Sequence, residues 1–321
     1  MPESTRRAYA GDLDRFAAWC ASTGRAALPA SAETLTEYAT HLAYTLGRRP
    51  ATVDRALSAI RVGHRAAGVV VPELVGARLV LRGYAAQLVD DGDARARPRR
   101  AAAADLGVLR ALVGTVDRAT LAGCRDAALL LLGFALAGRR SELIALDLGD
   151  VAETGEGLDV AVYRGKRRAR QQVAVPYGSR PETCPVRAVR TWRERLAEHG
   201  RHGGPLFVRV DRHDRPGVAL TRAGRVIGDP DGRMTGEAVA DVVERAATRA
   251  GLAAVPEGAE VGPRWTAHAL RRGFATAARR AGHDLVLIGR HGGWADGSRS
   301  LLGYLEDADR WTDNPLHGMG L

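Results

Sequence analysis

The chain has 321 residues, a net charge of +10 and a sequence isoelectric point of about 10.3. This length favours two domains with separate hydrophobic cores. The positive charge favours a polyanionic partner, nucleic acid before a membrane surface, although a codon bias towards arginine is an equally good source of the excess.

Composition also argues against two other classes of protein. The three cysteines, Cys20, Cys124 and Cys184, are scattered and odd in number, which fits reduced thiols and not a disulfide framework. The longest apolar run, 127–138, is too short to span a bilayer, and the first residues lack the apolar stretch of a signal peptide. We therefore expect a cytoplasmic protein with no membrane partner.

Residues 1–92 are predicted to form a helical domain. Apolar residues recur there at helical spacing in four segments. The first begins near Ser4 and ends at Gly24, the second follows Ser31, the third begins at Pro50, and the fourth covers about 73–89. His64 shares the apolar face of the third segment, which favours a core or surface histidine over a ligand.

A linker is predicted at 93–104. This segment combines Arg, Pro and Ala with no apolar period, which is typical of an exposed tether between domains. Its basic charge also suits contact with a phosphate backbone, and the sequence leaves both interpretations open.

Residues 105–321 are predicted to mix helices with a few strands. Helical spacing is found in 103–114, 122–137, 184–199, 235–251 and 267–281. Alternating apolar residues in 158–164 and 171–177 predict a β-hairpin with Lys166 at or near its tip. The segment 205–210 is a candidate for a further strand, and 211–233, rich in Gly, Arg and Asp, is predicted to be a loop.

Lys166 is the only lysine in the chain, so every other one of the 47 basic residues is arginine. The distinction has chemical meaning because an ammonium gives up a proton far more readily than a guanidinium does. Chance placement is the alternative to a proton-donating role.

The segment HALRRGF contains His268 and Arg271, which are three residues apart and therefore leave the same face of a predicted helix. A guanidinium that binds phosphate oxygens beside an imidazole that exchanges protons suits a phosphate ester. Taken alone the pair is weak, because a solvated helix face gives the same pattern.

Two further groups of residues carry chemistry. In RRSEL, after the apolar run, Arg139 is either a helix C-cap cation or a residue held towards a site. Glu142 either orients Arg139 or a neighbouring group, or forms a helix-end salt bridge. In HGGW, Trp294 would ordinarily be a core residue, and Tyr304 follows in a short helical stretch.

Together these motifs resemble the tyrosine recombinase, or phage-type integrase, family. RRSEL looks like its first arginine box, YRGKRR like its lysine-bearing hairpin, HALRRGF like its H-x-x-R box, and HGGW with Tyr304 like its last two positions. The resemblance implies a mainly α catalytic domain at 105–321 with a small β-hairpin or sheet. It also implies that 1–92 is a four-helix core-binding domain and that the two domains clamp DNA.

The resemblance assigns roles to the catalytic residues. Tyr304 would attack a phosphodiester and form a 3′-phosphotyrosine, while Arg139 and Arg271 stabilise the transition-state charge. His268 would assist proton transfer at the nucleophile or donate a hydrogen bond to the phosphate. Trp294 would donate its indole N–H to the phosphate, and Lys166 would protonate the leaving 5′ oxygen. Neither a metal nor a cofactor is expected, since the arginines supply the positive charge.

The sequence departs from the family pattern at two places. Trp294 and Tyr304 are one residue further apart than is commonest, which leaves His291 as an alternative group near the phosphate. Arg272 stands where many relatives have histidine, and we expect it to contact DNA, as we do Arg167 and Arg168 in the hairpin turn.

The sequence therefore predicts a site-specific DNA recombinase that acts in integration, excision or resolution of a DNA element. Its expected partners are double-stranded DNA with specific recombination sites, further copies of the chain in a tetramer on synapsed DNA, and accessory DNA-bending proteins. We expect it to be associated with the nucleoid. The alternatives are a type IB topoisomerase, which nicks and reseals one strand, and a DNA-binding regulator that has lost catalysis.

Overall fold

The computed structural model describes residues 1, 3–97, 101–165, 169–217, 220–255, 262–309, 316 and 319. The chain divides into two compact units, Met1–Arg99 and Arg100–Leu321. The division falls inside the segment predicted to be a linker.

The first unit is helical. Its helices are α1 (Glu3–Thr23), α2 (Ala32–Thr40), α3 (Pro50–Ala66) and α4 (Val75–Asp90), and a π-helical turn, His41–Thr45, continues α2. These helices lie where the apolar spacing predicts them. The Ser31 side chain accepts a hydrogen bond from the Thr34 N–H at 3.2 Å and so caps α2, and Pro50 occupies the first turn of α3.

Packing in the first unit joins α1 to α3 and α2 to α4. The core is apolar and aromatic, with Phe16, Cys20, Leu35, Tyr38, Leu57 and Ile60 among its buried residues. Asp12 of α1 is also buried, and its carboxylate accepts hydrogen bonds from Arg55 of α3 at 2.8 and 3.1 Å. This ion pair fixes the two helices at one position along their length.

His64 is a structural core residue of the first unit. It is 1% exposed, its Nδ1 donates to the Ile60 carbonyl at 2.8 Å, and its Nε2 accepts from the Ala30 N–H at 2.9 Å. Both ring nitrogens thus have hydrogen-bond partners within the first unit. This agrees with the prediction that His64 is a core or surface residue and not a ligand.

We expect His64→Leu to lower the free energy of unfolding of the full chain by about 2 kcal/mol, because the buried Ala30 N–H loses its acceptor. His64→Gln, which offers an amide oxygen, should lose less. Urea denaturation followed by circular dichroism measures both changes. Equal stability of the two variants would contradict this role of His64.

The second unit contains the helices α5 (Leu106–Gly114), α6 (Leu121–Ala135), α7 (Arg140–Ile144), α8 (Pro185–Glu198), α9 (Gly236–Arg249), α10 (Ala267–Arg280), α11 (Leu285–Gly292) and α12 (Arg299–Asp309). Its strands are β1 (Val151–Glu153), β2 (Gly157–Arg164), β3 (Ala169–Pro176), β4 (Leu220–Arg222) and β5 (Arg225–Ile227). The architecture is mainly helical with small antiparallel sheets, as predicted.

Helix α6 forms the centre of the second unit. Nearly all of its residues are buried, and it contacts α5, α8, α9 and α10. The run of consecutive apolar residues in α6 follows from this position, since a helix surrounded by other helices has no polar face. The end of α6 leads directly into the turn before α7, where the RRSEL motif begins.

Strands β1, β2 and β3 form one antiparallel sheet in that order, with Val160 of β2 opposite Val151 and Val173. Alternate residues of β2, namely Leu158, Val160 and Val162, are buried against the core. Arg164 continues this alternation and is buried as well. The register ends with Arg164 opposite Ala169, on either side of the hairpin turn.

Several elements differ from the sequence predictions. The segment 205–210 does not form a strand, because Val208 and Val210 make only isolated bridges to irregular chain at Arg233 and Pro216. The predicted loop 211–233 contains the β4–β5 hairpin. The short elements β1, α7 and α11 were not predicted, since each is too short to show a clear period.

Residues 101–104, predicted to belong to the linker, pack within the second unit. The Ala102 N–H donates to the Arg264 carbonyl at 2.9 Å, and the Ala104 N–H donates to the Ala269 carbonyl at 3.0 Å. Ala104 is fully buried. This stretch therefore contributes to the surroundings of α10.

Across the described ranges, none of the helices has the length and apolar character needed to cross a membrane. The same part of the chain contains no group of three or more His, Cys, Asp or Glu side chains placed to hold a metal ion.

Candidate active site

Arg271 lies at the centre of the candidate site. It is on the first half of α10, a helix capped by Thr266, and its side chain is almost completely buried. Its Nη1 donates to the carbonyls of Gly292, at 2.7 Å, and of Ala137. Its buried Nη2 has no hydrogen-bond partner among the residues that the structure describes. A buried guanidinium donor of this kind is a ready binding group for an anion.

The Trp294 ring supports Arg271 from one side. The guanidinium carbon lies 3.6 Å from the ring centroid, and Trp294 is itself buried. The stacking fixes the plane of the guanidinium and directs its remaining N–H groups. The rings of Trp294 and Tyr304 also meet edge to face, with an interplanar angle of 77° and their centroids 6.3 Å apart.

The two glycines of HGGW allow this arrangement. A Cβ on Gly292 would fall 1.8 Å from the Trp294 ring, so no side chain is tolerated there. Gly293 ends α11 with a φ of +65°, in the left-handed region that favours glycine, and a Cβ there would meet Arg164 at 2.8 Å.

Arg139 is held by Glu142. Arg139 is the N-cap residue of α7, its backbone N–H donates to Glu142 Oε2 at 3.0 Å, and its Nη1 donates to Oε1 at 2.5 Å. Arg164 Nη1 donates to the same carboxylate at 2.8 Å. Glu142 thus joins two arginines. The sequence left open whether Glu142 orients an arginine or forms a helix-end salt bridge, and its contact with Arg139 does both.

The carboxylate of Glu142 is ionised at neutral pH despite its burial. Burial alone would raise its pKa, but the Arg139 N–H and the charges of Arg139 and Arg164 outweigh that effect and hold the pKa below its ordinary value. Burial, together with the nearby charge of Arg139, lowers the pKa of Arg271 to about 9. Glu142 thus pairs with the guanidiniums of Arg139 and Arg164, Arg271 adds a third positive charge nearby, and the cluster has excess positive charge.

Ala137, whose carbonyl binds Arg271, has a strained backbone conformation. Its φ is +46°, in the left-handed region that non-glycine residues seldom adopt. This conformation accompanies the hydrogen bond that its carbonyl accepts from Arg271. Such strain is commonly stored at functional sites, where the surrounding contacts maintain it.

His291 anchors α11 to α6. Its Nε2 donates to the Ala135 carbonyl at 2.6 Å, and its ring stacks on Phe274 at a centroid distance of 4.8 Å. Burial lowers the pKa of His291, with the charge of Arg164 acting in the same direction. In this structure His291 therefore uses Nε2 for an internal contact.

Tyr304 and His268 lie on α12 and α10, which pack together. Tyr304 is partly buried, and the guanidinium of Arg272 lies 5.9 Å from its ring centroid. Arg272 Nη1 also donates to the Ala101 carbonyl at 2.6 Å, so its described contacts are internal. His268 is exposed in the first turn of α10.

Two sets of the predicted site residues are in direct contact. Direct contacts connect Arg139 to Glu142, and Arg271 to Trp294 and on to Tyr304. The predicted residues Lys166, Arg167 and Arg168 lie outside the described residues.

Arg164 is a site residue that the sequence motifs did not indicate. Its position was readable, since the alternation through Leu158, Val160 and Val162 places residue 164 on the buried face.

An anion should bind to this cluster and stabilise the fold. At about ten times its dissociation constant, sulfate is expected to add about 1.4 kcal/mol to the free energy of unfolding, or about 4 °C in Tm. Arg271→Met should lose most of this increment, because the buried donor is gone. Thermal unfolding in sulfate and in chloride of equal ionic strength measures it, and an equal increment in both proteins would contradict the assignment.

Known proteins are similar to this chain in sequence. Residues 107–309 match the model of the phage integrase family. Over 320 residues the chain is 30% identical to the integrase/recombinase XerD homologue of Selenomonas ruminantium, covering 99% of this chain and 85% of the relative. The chain therefore belongs to the phage integrase family, the tyrosine site-specific recombinases, and the resemblance inferred from its motifs is confirmed.

Solved structures share the fold. A lambda integrase dimer bound to a COC′ core site superposes with a TM-score of 0.60 at 12% identity, covering 97% of this chain and 91% of the other. The XerH site-specific recombinase in a post-cleavage complex with palindromic difH substrate gives a TM-score of 0.51 at 17% identity, covering 88% and 72%. At these identities the likeness concerns the fold.

Proposed function

We propose that the chain cleaves and rejoins DNA at specific sites through a covalent link between Tyr304 and a 3′ phosphate. The observation that carries the proposal is the buried, unpaired Nη2 of Arg271, beside a tryptophan that contacts Tyr304. A fixed cation next to a phenol is what the attack of that phenol on a phosphodiester requires.

Bond making and proton transfer balance in the proposed reaction. The Tyr304 hydroxyl loses its proton to His268, its oxygen bonds to phosphorus, and the bond from phosphorus to the 5′ oxygen breaks. Lys166 gives a proton to that oxygen, which departs as a hydroxyl. Arg139 and Arg271 stabilise the charge on the nonbridging oxygens. Attack by the 5′ hydroxyl of a partner strand reverses these steps and completes the exchange.

Neither a metal ion nor a cofactor has a role in this proposal. The charge on a pentacovalent phosphorus needs neutralisation by cations held in place before the reaction begins. The arginine cluster supplies those cations from fixed positions, since Arg139 is tied to Glu142 and Arg271 to two carbonyls. Trp294 takes part by stacking on Arg271 and by its contact with Tyr304.

The first unit is proposed to be a core-binding domain that clamps DNA together with the second. This proposal is supported by the lambda integrase and XerH structures, which share the fold of this chain and contain bound DNA. Arg167, Arg168 and Arg272 are proposed as DNA contacts of the second unit. Exchange between two sites needs cleavage of four strands, so we propose a tetramer on synapsed DNA, with accessory DNA-bending proteins as further partners.

Covalent selection tests the proposal and identifies the target sequence in the same experiment. Duplexes with a randomised centre and a single nick are incubated with the protein, and DNA that remains bound after denaturation is sequenced. We expect the wild type to enrich one sequence and Tyr304→Phe to retain none. Failure of the wild type to form any adduct would refute the proposal and favour a DNA-binding regulator.

Plasmids carrying the selected sequence separate a recombinase from a topoisomerase. A recombinase exchanges the flanks of two copies of the site. A type IB topoisomerase relaxes a plasmid that holds one copy, and that result without exchange would decide against recombination.

A further inference from the structure

Arg164 is a buried arginine at the end of β2 with partners on β3, α7 and α11 and at the end of α6. It is 1% exposed. Its Nε donates to Gln171 Oε1 at 3.0 Å, its Nη1 to Glu142 Oε2 at 2.8 Å, and its Nη2 to the carbonyls of His291 at 2.8 Å and Leu136 at 3.3 Å. Such a residue connects the β2–β3 hairpin to α6, α7 and α11.

Arg164 and Arg271 bridge the same two turns. Arg164 binds the carbonyls of Leu136 and His291, and Arg271 binds those of the next residues, Ala137 and Gly292. The end of α6 and the end of α11 are therefore linked twice, once by a fully enclosed arginine and once by the arginine that keeps a donor unpaired.

Charge distinguishes Arg164 from a simple packing residue. Glu142 is 3% exposed and pairs with both Arg139 and Arg164, whose side chains are 18% and 1% exposed. If Arg164 were neutral, Arg139 alone would have to compensate the buried carboxylate, because an unpaired buried charge is very costly. The existing pair of Arg139 and Glu142 would then be neutral as a whole and would have little net charge left for a phosphate.

We infer that Arg164 is a positioning residue that balances the charge of Glu142, so that Arg139, although paired with Glu142, keeps net positive charge for the scissile phosphate. The inference rests on the proposed function, in which Arg139 stabilises the transition state. Arg164 itself does not touch DNA in this scheme. It acts through Glu142, and through the two turns that it shares with Arg271.

Charge balance predicts a specific order among variants of Arg164. Arg164→Met removes the charge and is expected to slow adduct formation about 100-fold, the size of effect seen when one transition-state donor is lost. Arg164→Lys keeps the charge and loses the bridge between carbonyls, so it should cleave much faster than Arg164→Met. Both variants should lower Tm because both lose the bridge, and Arg164→Met should lower it further because it also removes a cation from the buried Glu142.

Glu142→Gln provides the decisive combination. In an Arg164→Met background it removes the unbalanced carboxylate, so we expect the double variant to form adduct about 10-fold faster than Arg164→Met alone. A packing role predicts the opposite, because a second change in the same buried network adds damage. A DNA site with a neutral methylphosphonate at the scissile position should also reduce the difference in adduct-formation rate between the wild type and Arg164→Met. Less negative charge then needs stabilising in the transition state.

The assay is adduct formation on the nicked duplex selected by the wild type, with Tm measured for every variant. The inference is overturned if Arg164→Lys and Arg164→Met are equally slow, or if Glu142→Gln slows Arg164→Met further. Absence of an adduct with the wild type would instead refute the proposed function, so the two failures are distinguishable.

Discussion

Lys166→Arg should bind the selected DNA as tightly as the wild type and cleave it about 100-fold more slowly, a typical loss when a general acid is removed. The change preserves the positive charge and removes only a proton that can be given up. A guanidinium, with a reference pKa above about 12, is a poor donor to a departing 5′ oxygen, whereas an ammonium has a reference pKa of about 10.4.

A substrate with sulfur in place of the 5′ bridging oxygen tests this reason directly. A thiolate departs without a proton, so Lys166→Arg should cleave the sulfur substrate at close to the wild-type rate. Arg170→Lys, at an exposed position of β3 where Arg170 pairs with Asp150 at 2.9 Å, is the matched control and should behave like the wild type on both substrates. If the sulfur substrate gives no selective recovery, Lys166 is not the general acid.

Arg271→Lys should reduce adduct formation by about 10² to 10³, as loss of a fixed transition-state donor does. The guanidinium binds two carbonyls through Nη1, stacks on Trp294, and still has Nη2 for a phosphate. A single ammonium on a flexible chain cannot make all of these contacts at once. DNA affinity should change little, because the net charge is kept.

Arg280→Lys is the matched control for Arg271→Lys. It lies on the same helix, is exposed, and pairs with Asp105 at 3.5 Å. We expect it to cleave at the wild-type rate, since surface ion pairs contribute little. Comparable losses in the two variants would show that the effect belongs to α10 as a whole and not to the phosphate contact of Arg271.

The sequence was most informative where a motif and a helical period coincide. The spacing of His268 and Arg271 predicted one helix face, and both residues lie in the first half of α10. In the structure, however, Arg271 is buried and His268 is exposed, because the face they share lies at the edge of the core. The spacing of residues along the chain predicts the helix, whereas tertiary packing determines which of its side chains is buried.

Other features depended on contacts that local patterns do not record. Ala102 and Ala104 were predicted to belong to the linker because a run of alanines shows no hydrophobic period. Their backbone hydrogen bonds nevertheless join them to the region of α10. The local sequence gives no reason for Gly292 and Gly293, and only the structure shows that they make room for Trp294 and Arg164. The alternation in β2 places Arg164 on the buried face, but only the structure shows its contacts with Glu142 and His291.

Mapping of the attached residue tests the central proposal most directly. Wild-type protein trapped on the selected nicked duplex is digested with trypsin and nuclease, and the peptide that carries a nucleotide is sequenced by mass spectrometry. We predict that it is the peptide 300–310, with a 3′-linked nucleotide on Tyr304. A nucleotide on any other residue, or a 5′ linkage, would contradict the proposed reaction.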